Sequence, residues 1–547
     1  MKNNDKIKQS ILLGSLTSTF GIFVTKILGL LYTTPLKDYA GSLNLSFYNH
    51  AYTYYDYLLK ICSGGIPFAI ASLVAIYVAK KDYASAKYVK KIGMSITLGL
   101  TMLSVIVFFF LVGPLSRQVL GAKASAEDIT KMMNVFYILI ACVAVVPFLS
   151  AIRGYYQGLK RLDIYSSSNI LEQFVRVTII IVDGFILVKL LNFDSVYAIY
   201  TAIAAACIAA IIALIYIKVS TKKDDREFEE CLALQENIDV KKKEIVIQML
   251  QAGIPYLLVN LIGQLNPIIN SFFYTDYVTS IGETYEYGAI TLVIFSCCGK
   301  ITAIPQVLSQ GFSAGLIPYM SEVLDDKEKV NEYINKILNS VLYLLIPIVI
   351  FLVFFAKDAY YILFGTEEVG MNVVQSVMIW VSILGFFYTV APTMSAIMVT
   401  VKQRKISIII LTISVIIKYI TFFPCVRLWK VLGIPISSII ASLFVVVSYL
   451  IVLKNKFNLK LKNTLIRSLK VLIISIISVL PSFIIMLAIG FNYIGGTTSR
   501  ILDLAISGVL GVLFLIIYYF ITYKTSIIKE CLEIDGGIKS LIKKFKV

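Results

Sequence analysis

The chain has 547 residues, 58% of them hydrophobic, and a formal net charge of +17. Soluble domains contain about 45–50% apolar residues, so this composition excludes a water-soluble globule. Apolar runs of about 20 residues recur along the chain, and each is long enough to cross a bilayer as a helix. We therefore predict an all-α integral membrane protein, because the alternating pattern of a membrane β-barrel is missing from the sequence. The positive charge then indicates basic cytoplasmic loops and not a nucleic-acid-binding surface.

The sequence offers little for catalysis, metal binding or a cofactor. His50 is the only histidine, and the eight cysteines contain no CxxC pair. Neither a metal site nor a disulfide framework is therefore expected. A membrane-embedded glycosyltransferase would need carboxylates in an outer loop, and the candidates are Glu127 with Asp128 and Glu367 with Glu368 in short loops. We expect a transporter, not an enzyme.

We predict fourteen spanning helices, called spans 1 to 14 here. They cover residues 11–34, 44–79, 92–113, 130–153, 167–190, 195–218, 245–272, 286–320, 334–356, 371–399, 406–426, 433–453, 468–490 and 501–523. Spans 2 and 8 are longer than a crossing requires and contain Gly/Pro interruptions, at residues 64–67 and at residues 299–311. We expect both to be kinked, with the freed backbone groups facing protein or a water-filled cavity.

The basic residues between the spans predict the orientation of the chain. With the N-terminus in the cytoplasm, the inner loops hold roughly four times as many Lys and Arg residues as the outer loops. Both termini are therefore predicted to face the cytoplasm of a multi-pass bacterial membrane protein.

An internal repeat predicts the domain organisation. Residues 80–92 (KKDYASAKYVKKI) resemble residues 325–337 (DDKEKVNEYINKI). Six helices per half keep the two halves in the same orientation, so the repeat is parallel. We predict an N-terminal lobe, a cytoplasmic linker, a C-terminal lobe, two extra helices and an amphipathic tail on the inner leaflet. Their ranges are 1–220, 221–244, 245–455, 456–524 and 525–547.

Charged side chains inside the predicted spans are the main functional signal. Lys26, Lys60 and Lys300 each sit well inside a span, where a lipid-facing lysine costs about 2.5–3.5 kcal/mol. Lys60 and Lys300 occupy matching places in the two halves, so we expect the three lysines to line one anion-binding cavity. The alternative is local neutralisation, since Asp56 lies four residues before Lys60.

Other polar residues in the spans leave two interpretations open. Glu172 and Arg176 in span 5 have the same four-residue spacing, so they form either an ion pair or part of the site. Lys418 lies in the middle of span 11, and Asp183 is a candidate for binding a coupling ion. The tyrosines of span 2 indicate either an aromatic belt at the outer interface or a surface on which sugars stack.

Three motifs carry a resemblance to a known family. They are residues 25–30 (TKILGL) in span 1, residues 60–67 (KICSGGIP) in span 2, and residues 311–319 at the end of span 8. Its fourteen predicted helices form two six-helix lobes followed by two additional helices. In this organisation the chain resembles flippases of the MOP (MATE-like) superfamily, in the MurJ/SpoVB/YtgP branch. The resemblance implies export of a lipid-linked cell-wall precursor, chiefly lipid II, from the inner to the outer leaflet by alternating access.

The resemblance also implies which residues contact the substrate. In that family, basic residues of helices 1, 2 and 8 line the cavity and are thought to bind the diphosphate. Tyr32 stands where members from Gram-negative bacteria have a second arginine. The candidate substrate-binding residues are Lys26, Lys60, Lys300, Asp56, Tyr32, Arg176, Glu172 and Lys418.

Several points stay open from the sequence. Transport could be driven by Na⁺, by H⁺ or by the membrane potential. The substrate could be another undecaprenyl-linked polysaccharide unit. A MATE-type multidrug antiporter is a further alternative, which the cationic cavity and the two additional helices disfavour.

Overall fold

A computed structural model describes residues 24, 26–235, 240–322, 326–489 and 500–532 of the chain. Within these ranges the protein is almost entirely helical and contains no strand. Every predicted span coincides with one helix or with two consecutive helices in the part that the structure describes, which leaves out residues 11–23 and 25 of span 1 and residue 490 of span 13. The predicted all-α fold is therefore confirmed.

The helices follow one another with short connections. In the first half they are α1 (Thr33–Ser63), α2 (Ile66–Ala79), α3 (Tyr83–Leu120), α4 (Ala126–Gly158), α5 (Leu162–Gly184), α6 (Val196–Ser220), α7 (Lys222–Ala233), α8 (Lys242–Gly263) and α9 (Leu265–Ser280). In the second half they are α10 (Tyr285–Glu322), α11 (Lys327–Phe354), α12 (Ala356–Phe364), α13 (Met371–Thr400), α14 (Arg404–Trp429), α15 (Gly433–Phe457), α16 (Lys462–Ala488), α17 (Arg500–Lys524) and α18 (Ile527–Leu532). A single π-helical turn, Phe185–Leu190, extends α5.

Ten helical stretches among the described residues are long and apolar enough to cross a membrane. Two of them, Lys26–Ala79 and Arg404–Phe457, are 54 residues long; the first contains residues 26–34 of span 1 and all of span 2, and the second contains spans 11 and 12. Helix α5 and the α8–α9 pair match spans 5 and 7 but fall outside the ten. Because two of the ten stretches correspond to two spans each, and two further spans are matched by helices outside the ten, all fourteen predicted spans have a helical counterpart. The chain is a multi-pass membrane protein.

Glycines set the breaks around span 2. Gly41 adopts φ 74°, a left-handed conformation that L side chains rarely adopt, and it interrupts α1 between spans 1 and 2. The predicted break at residues 64–67 is present, since α1 ends at Ser63 and α2 begins at Ile66 with Pro67 in its first turn. In span 8 the helix α10 continues through Gly299 and Pro305, so the interruption does not end the helix, and the kink expected there stays a prediction.

The first compact unit comprises Met1–Val293. Helix α8 packs on α2 and α3 within it, and the closest backbone approach is between Gly65 and Gly253. A Cβ built on Gly65 would lie 2.1 Å from the Gly253 carbonyl oxygen. The unit thus includes the helices that directly follow the predicted linker. The lobe boundary taken from the repeat stays a prediction.

The predicted linker contains a helix of its own, α7. Asp224 of α7 forms an ion pair with Arg161. Glu229 of the same helix accepts a hydrogen bond from Lys87 Nζ at 2.7 Å. Phe228 is buried and its ring packs edge-on against that of Tyr83. Residues 222–233 therefore form a helix that packs against the first unit.

The second compact unit comprises Ile294–Val547. One apolar core joins α11, α13 and α15, and another joins α11, α16, α17 and α18. The rings of Phe351 on α11 and Phe514 on α17 stack at 5.4 Å between centroids. The two additional helices thus pack against this unit. The predicted amphipathic tail lies outside the described residues from residue 533 onward.

Candidate functional site

Lys60 and Asp56 form an ion pair on the last two turns of α1. Lys60 Nζ donates to Asp56 Oδ2 at 2.7 Å, with side-chain exposures of 27% and 43%. The four-residue spacing places both groups on one face of the helix. The helix ends directly after this pair, because Gly64 and Gly65 follow.

Gln264 joins this pair from the break between α8 and α9. Its amide oxygen accepts from Lys60 Nζ, and its amide nitrogen donates to Asp56 Oδ2 at 3.2 Å, the orientation that satisfies both atoms. Gln264 was not predicted from the sequence. The available signal was a polar residue directly after Gly263, within an apolar span that also contains Pro267.

Lys26 lies near the same group of residues. Its side chain is exposed, and it is within electrostatic range of both Asp56 and Lys60. Two of the three predicted lysines therefore share one neighbourhood of the first unit. Two ammonium groups and one carboxylate leave a local charge of about +1. We call Lys26, Asp56, Lys60 and Gln264 the cationic cluster.

Lys300 belongs to the second unit. It is half-buried on α10, and Thr302, two residues later, is buried against Gly385 of α13. Residues two apart lie on roughly opposite sides of a helix, so Lys300 faces away from that contact. Its role in substrate binding stays a prediction.

Glu172 and Arg176 lie in the interior of the first unit. Arg176 Nη2 donates to Glu172 Oε1 at 2.7 Å, as the four-residue spacing predicts. Arg153 of α4 adds a second guanidinium, whose Nη1 donates to Glu172 Oε2 at 2.8 Å. The side chains are only 8–13% exposed. They do not present the open surface that a glycan needs.

Tyr32 is buried, and its hydroxyl is 2.7 Å from that of Tyr48. Tyr48, Tyr54 and Tyr55 are also buried, whereas Tyr52 is 40% exposed. The buried tyrosines form neither a lipid-facing belt nor an open surface for stacking sugars. Tyr32 is therefore placed in the packing of α1 and not in the cationic cluster.

Lys418 is fully enclosed between α14 and α15. Its Nζ donates to the Ile434 carbonyl oxygen at 3.0 Å, to Ser437 Oγ at 2.7 Å and to Ser438 Oγ at 2.9 Å. These three acceptors match the three protons of an ammonium group. The arrangement holds two neighbouring helices together and leaves no proton for a substrate in this conformation.

A family model described as "Polysaccharide biosynthesis protein" matches residues 11–324, which is more than half of the chain. The chain belongs to the polysaccharide biosynthesis protein family. This membership agrees with the resemblance stated from the motifs, although the side chains of residues 311–319 lie outside the described part.

Curated relatives of this family member include two proteins of Bacillus subtilis (strain 168). "Lipid II flippase MurJ" is 22% identical over 514 residues, covering 92% of this chain and 94% of the relative. "Stage V sporulation protein B" is 23% identical over 379 residues, covering 66% of this chain and 68% of the relative.

Solved structures share the fold of this family member. A structure described as "Lipid II flippase MurJ, inward closed conformation" matches with a TM-score of 0.65 and 18% identity, covering 93% of this chain and 99% of that chain. An inward-facing MATE family transporter of the MOP superfamily matches with a TM-score of 0.61 and 15% identity, covering 81% of this chain and 98% of that one. The predicted MOP-superfamily fold is confirmed.

Proposed function

We propose that the protein moves a lipid-linked cell-wall precursor, lipid II, from the inner to the outer leaflet of the cytoplasmic membrane by alternating access. The relative named as a lipid II flippase aligns over nearly the whole of both chains. The observation that carries the proposal is the cationic cluster, which suits the diphosphate common to lipid-linked precursors. The lipid tail stays in the bilayer while the charged head group crosses.

The cluster provides both charge and a fixed geometry. Lys60 is held by Asp56 and Gln264 together, so its ammonium group has a defined position before substrate arrives. A diphosphate oxygen would bind Lys60 and the nearby Lys26, in exchange for the contact of Lys60 with Asp56. Lys300 is a further candidate contact, from the resemblance alone.

The driving force is proposed to include the membrane potential. An inside-negative potential favours outward movement of an anion by about 2.3 kcal/mol per charge per 100 mV, or about 4–5 kcal/mol for a diphosphate. Coupling to Na⁺ or H⁺, with Asp183 as a candidate, is a separate proposal. Both termini are proposed to face the cytoplasm, on the basis of the loop charges.

Complementation tests the proposal. In a strain depleted of its own lipid II flippase, Lys26→Ala, Lys60→Ala and Lys300→Ala should each fail to restore growth. Lys87→Ala, which removes an exposed cation paired with Glu229, is the matched control and should restore it. Membrane abundance of each variant is measured in parallel. Wild-type growth with all three lysine variants would overturn the proposal.

A second candidate substrate is another undecaprenyl-linked polysaccharide unit. The family description favours this class. A reconstituted flipping assay with purified lipid II and with other undecaprenyl-linked glycans decides between them. The MATE-type antiporter is less well supported, because the MATE structures cover 81–82% of this chain, against 93% for the MurJ structure.

A further inference from the structure

The interior of the first unit contains a buried excess of positive charge. Arg153 and Arg176 share the single carboxylate of Glu172, at 2.8 and 2.7 Å. Arg153 and Arg176 are 7% and 8% exposed. Two guanidinium groups and one carboxylate leave a net charge of about +1, and burying an uncompensated charge is strongly unfavourable.

Two N–H donors of this group are unused. Arg153 Nε donates to Ser168 Oγ at 2.8 Å, but Arg153 Nη2 and Arg176 Nε have no hydrogen-bond partner among the described residues. Buried guanidinium nitrogens are normally satisfied, so unused donors beside an excess positive charge indicate a missing acceptor.

A small cavity lies against Arg176. It is lined by Arg176, by Tyr48, Tyr52 and Tyr55 of α1, and by apolar or weakly polar residues of α4 and α6, among them Cys142. The centre of a water-sized particle can occupy about 10 Å³ of it, so the cavity has room for one small particle. The hydroxyl of Tyr55 is buried and unpartnered within the described part of the chain. Arg176 is within electrostatic range of all three tyrosines.

We propose that this cavity binds a small monovalent inorganic anion, of the size of chloride or bromide. The anion would accept hydrogen bonds from Arg176 and from the Tyr55 hydroxyl, and it would neutralise the excess charge of the Arg153–Glu172–Arg176 group. A water molecule would satisfy the donors but would leave the buried charge uncompensated. A diphosphate is too large for the cavity, so this site is separate from the cationic cluster and does not rest on the proposed transport function.

Thermal unfolding of the purified full chain tests the proposal. Sodium chloride replaces sodium gluconate stepwise at constant ionic strength and constant pH, because gluconate is too bulky for the cavity. The wild type should show a saturable rise in apparent Tm of about 2–5 °C. Equal apparent Tm in chloride and in gluconate would overturn the proposal.

Three variants make the test specific. Arg176→Met removes the excess charge and should abolish the chloride response. Lys87→Met removes an exposed cation instead and should leave the response at the wild-type level. Tyr55→Phe keeps the charge but loses one donor, and it should weaken chloride binding by about 3- to 10-fold. A chloride response in Arg176→Met as large as in the wild type would count against the site.

Bromide provides a direct measurement that does not depend on the folding of any variant. Crystals of the wild-type full chain grown in sodium bromide should show an anomalous peak beside Arg176. A cavity that shows ordinary density without anomalous signal holds water, and that result would refute the proposal.

Discussion

Substitutions that lower and raise the charge of the cationic cluster should change the affinity for a diphosphate in opposite directions. Lys60→Met lowers the local charge from about +1 to 0, whereas Asp56→Asn raises it to about +2. One unit charge about 5 Å from a diphosphate of charge −2 contributes about 2 kcal/mol at the dielectric of water and about 7 kcal/mol at an effective dielectric of 20. The side chains are 27% and 43% exposed, so the lower value applies, and it corresponds to about a 30-fold change in Kd.

The assay is binding of undecaprenyl diphosphate to the purified full chain in nanodiscs of neutral lipid, measured by thermophoresis at low salt. Lys60→Met should raise Kd about 30-fold and Asp56→Asn should lower it about 30-fold, with the double variant near the wild type. Raising the salt concentration should compress all of these differences through screening. Lys223→Met, whose side chain is 88% exposed on α7, makes the same change in total charge and should have little effect.

The result that would refute this reasoning is weaker binding in Asp56→Asn. Asp56 contacts both Lys60 and Gln264, so it could act by holding Lys60 in place. In that case both single variants would lose affinity, and the double variant would be no better than either. Position, and not net charge, would then determine binding at the cluster.

Three further predictions concern stability, measured as apparent thermal unfolding of the purified protein. Gly65→Ala should destabilise the first unit by about 1–3 kcal/mol, because its Cβ would lie 2.1 Å from a backbone oxygen. The control, Gly253→Ala, places its Cβ 3.5 Å from the nearest atom and should be tolerated. Equal effects of the two substitutions would contradict this packing. Lys418→Ala should lower the free energy of unfolding by about 2–5 kcal/mol, because it loses hydrogen bonds and leaves a cavity. Lys418→Met, where it folds, should keep its transport activity. Loss of transport in that variant would restore Lys418 as a substrate contact. Burial raises the pKa of Asp358 to about 6 from an ordinary 3.8, so the folded state holds an extra proton between these values and stability should fall by about 3 kcal/mol as the pH rises from about 4 to above 6. Asp358→Asn should remove that part of the pH dependence, and an unchanged profile would assign it to another group.

The sequence predicts local features of this protein well, because hydrophobic length and helical spacing are local properties. Every predicted span coincides with one helix or with two consecutive helices where it is described, and the Asp56–Lys60 and Glu172–Arg176 pairs follow from a four-residue spacing. The contact between Arg153 and Glu172 joins two different helices, so no spacing rule could predict it.

Contacts between different helices also explain why the sequence did not predict the partners of Lys418 or the place of Gln264 in the cationic cluster. A mid-span lysine predicts only that some partner exists. Its partners, Ser437 and Ser438, lie on the following helix and are ordinary residues in that sequence. Gln264 approaches Lys60 across about 200 residues of chain, and nothing in its own neighbourhood identifies that partner.

The carboxylate in the cationic cluster makes physical sense for a carrier. A site built only from lysines would hold a diphosphate tightly, and a transporter must also release its substrate on the other side. Asp56 offsets one of the two local ammonium charges and shares Lys60 Nζ with Gln264. When a diphosphate leaves, Lys60 returns to a partner 2.7 Å away and does not remain an unpaired charge within the membrane. Under the proposed function, Asp56 therefore lowers affinity and lowers the cost of the empty site at the same time.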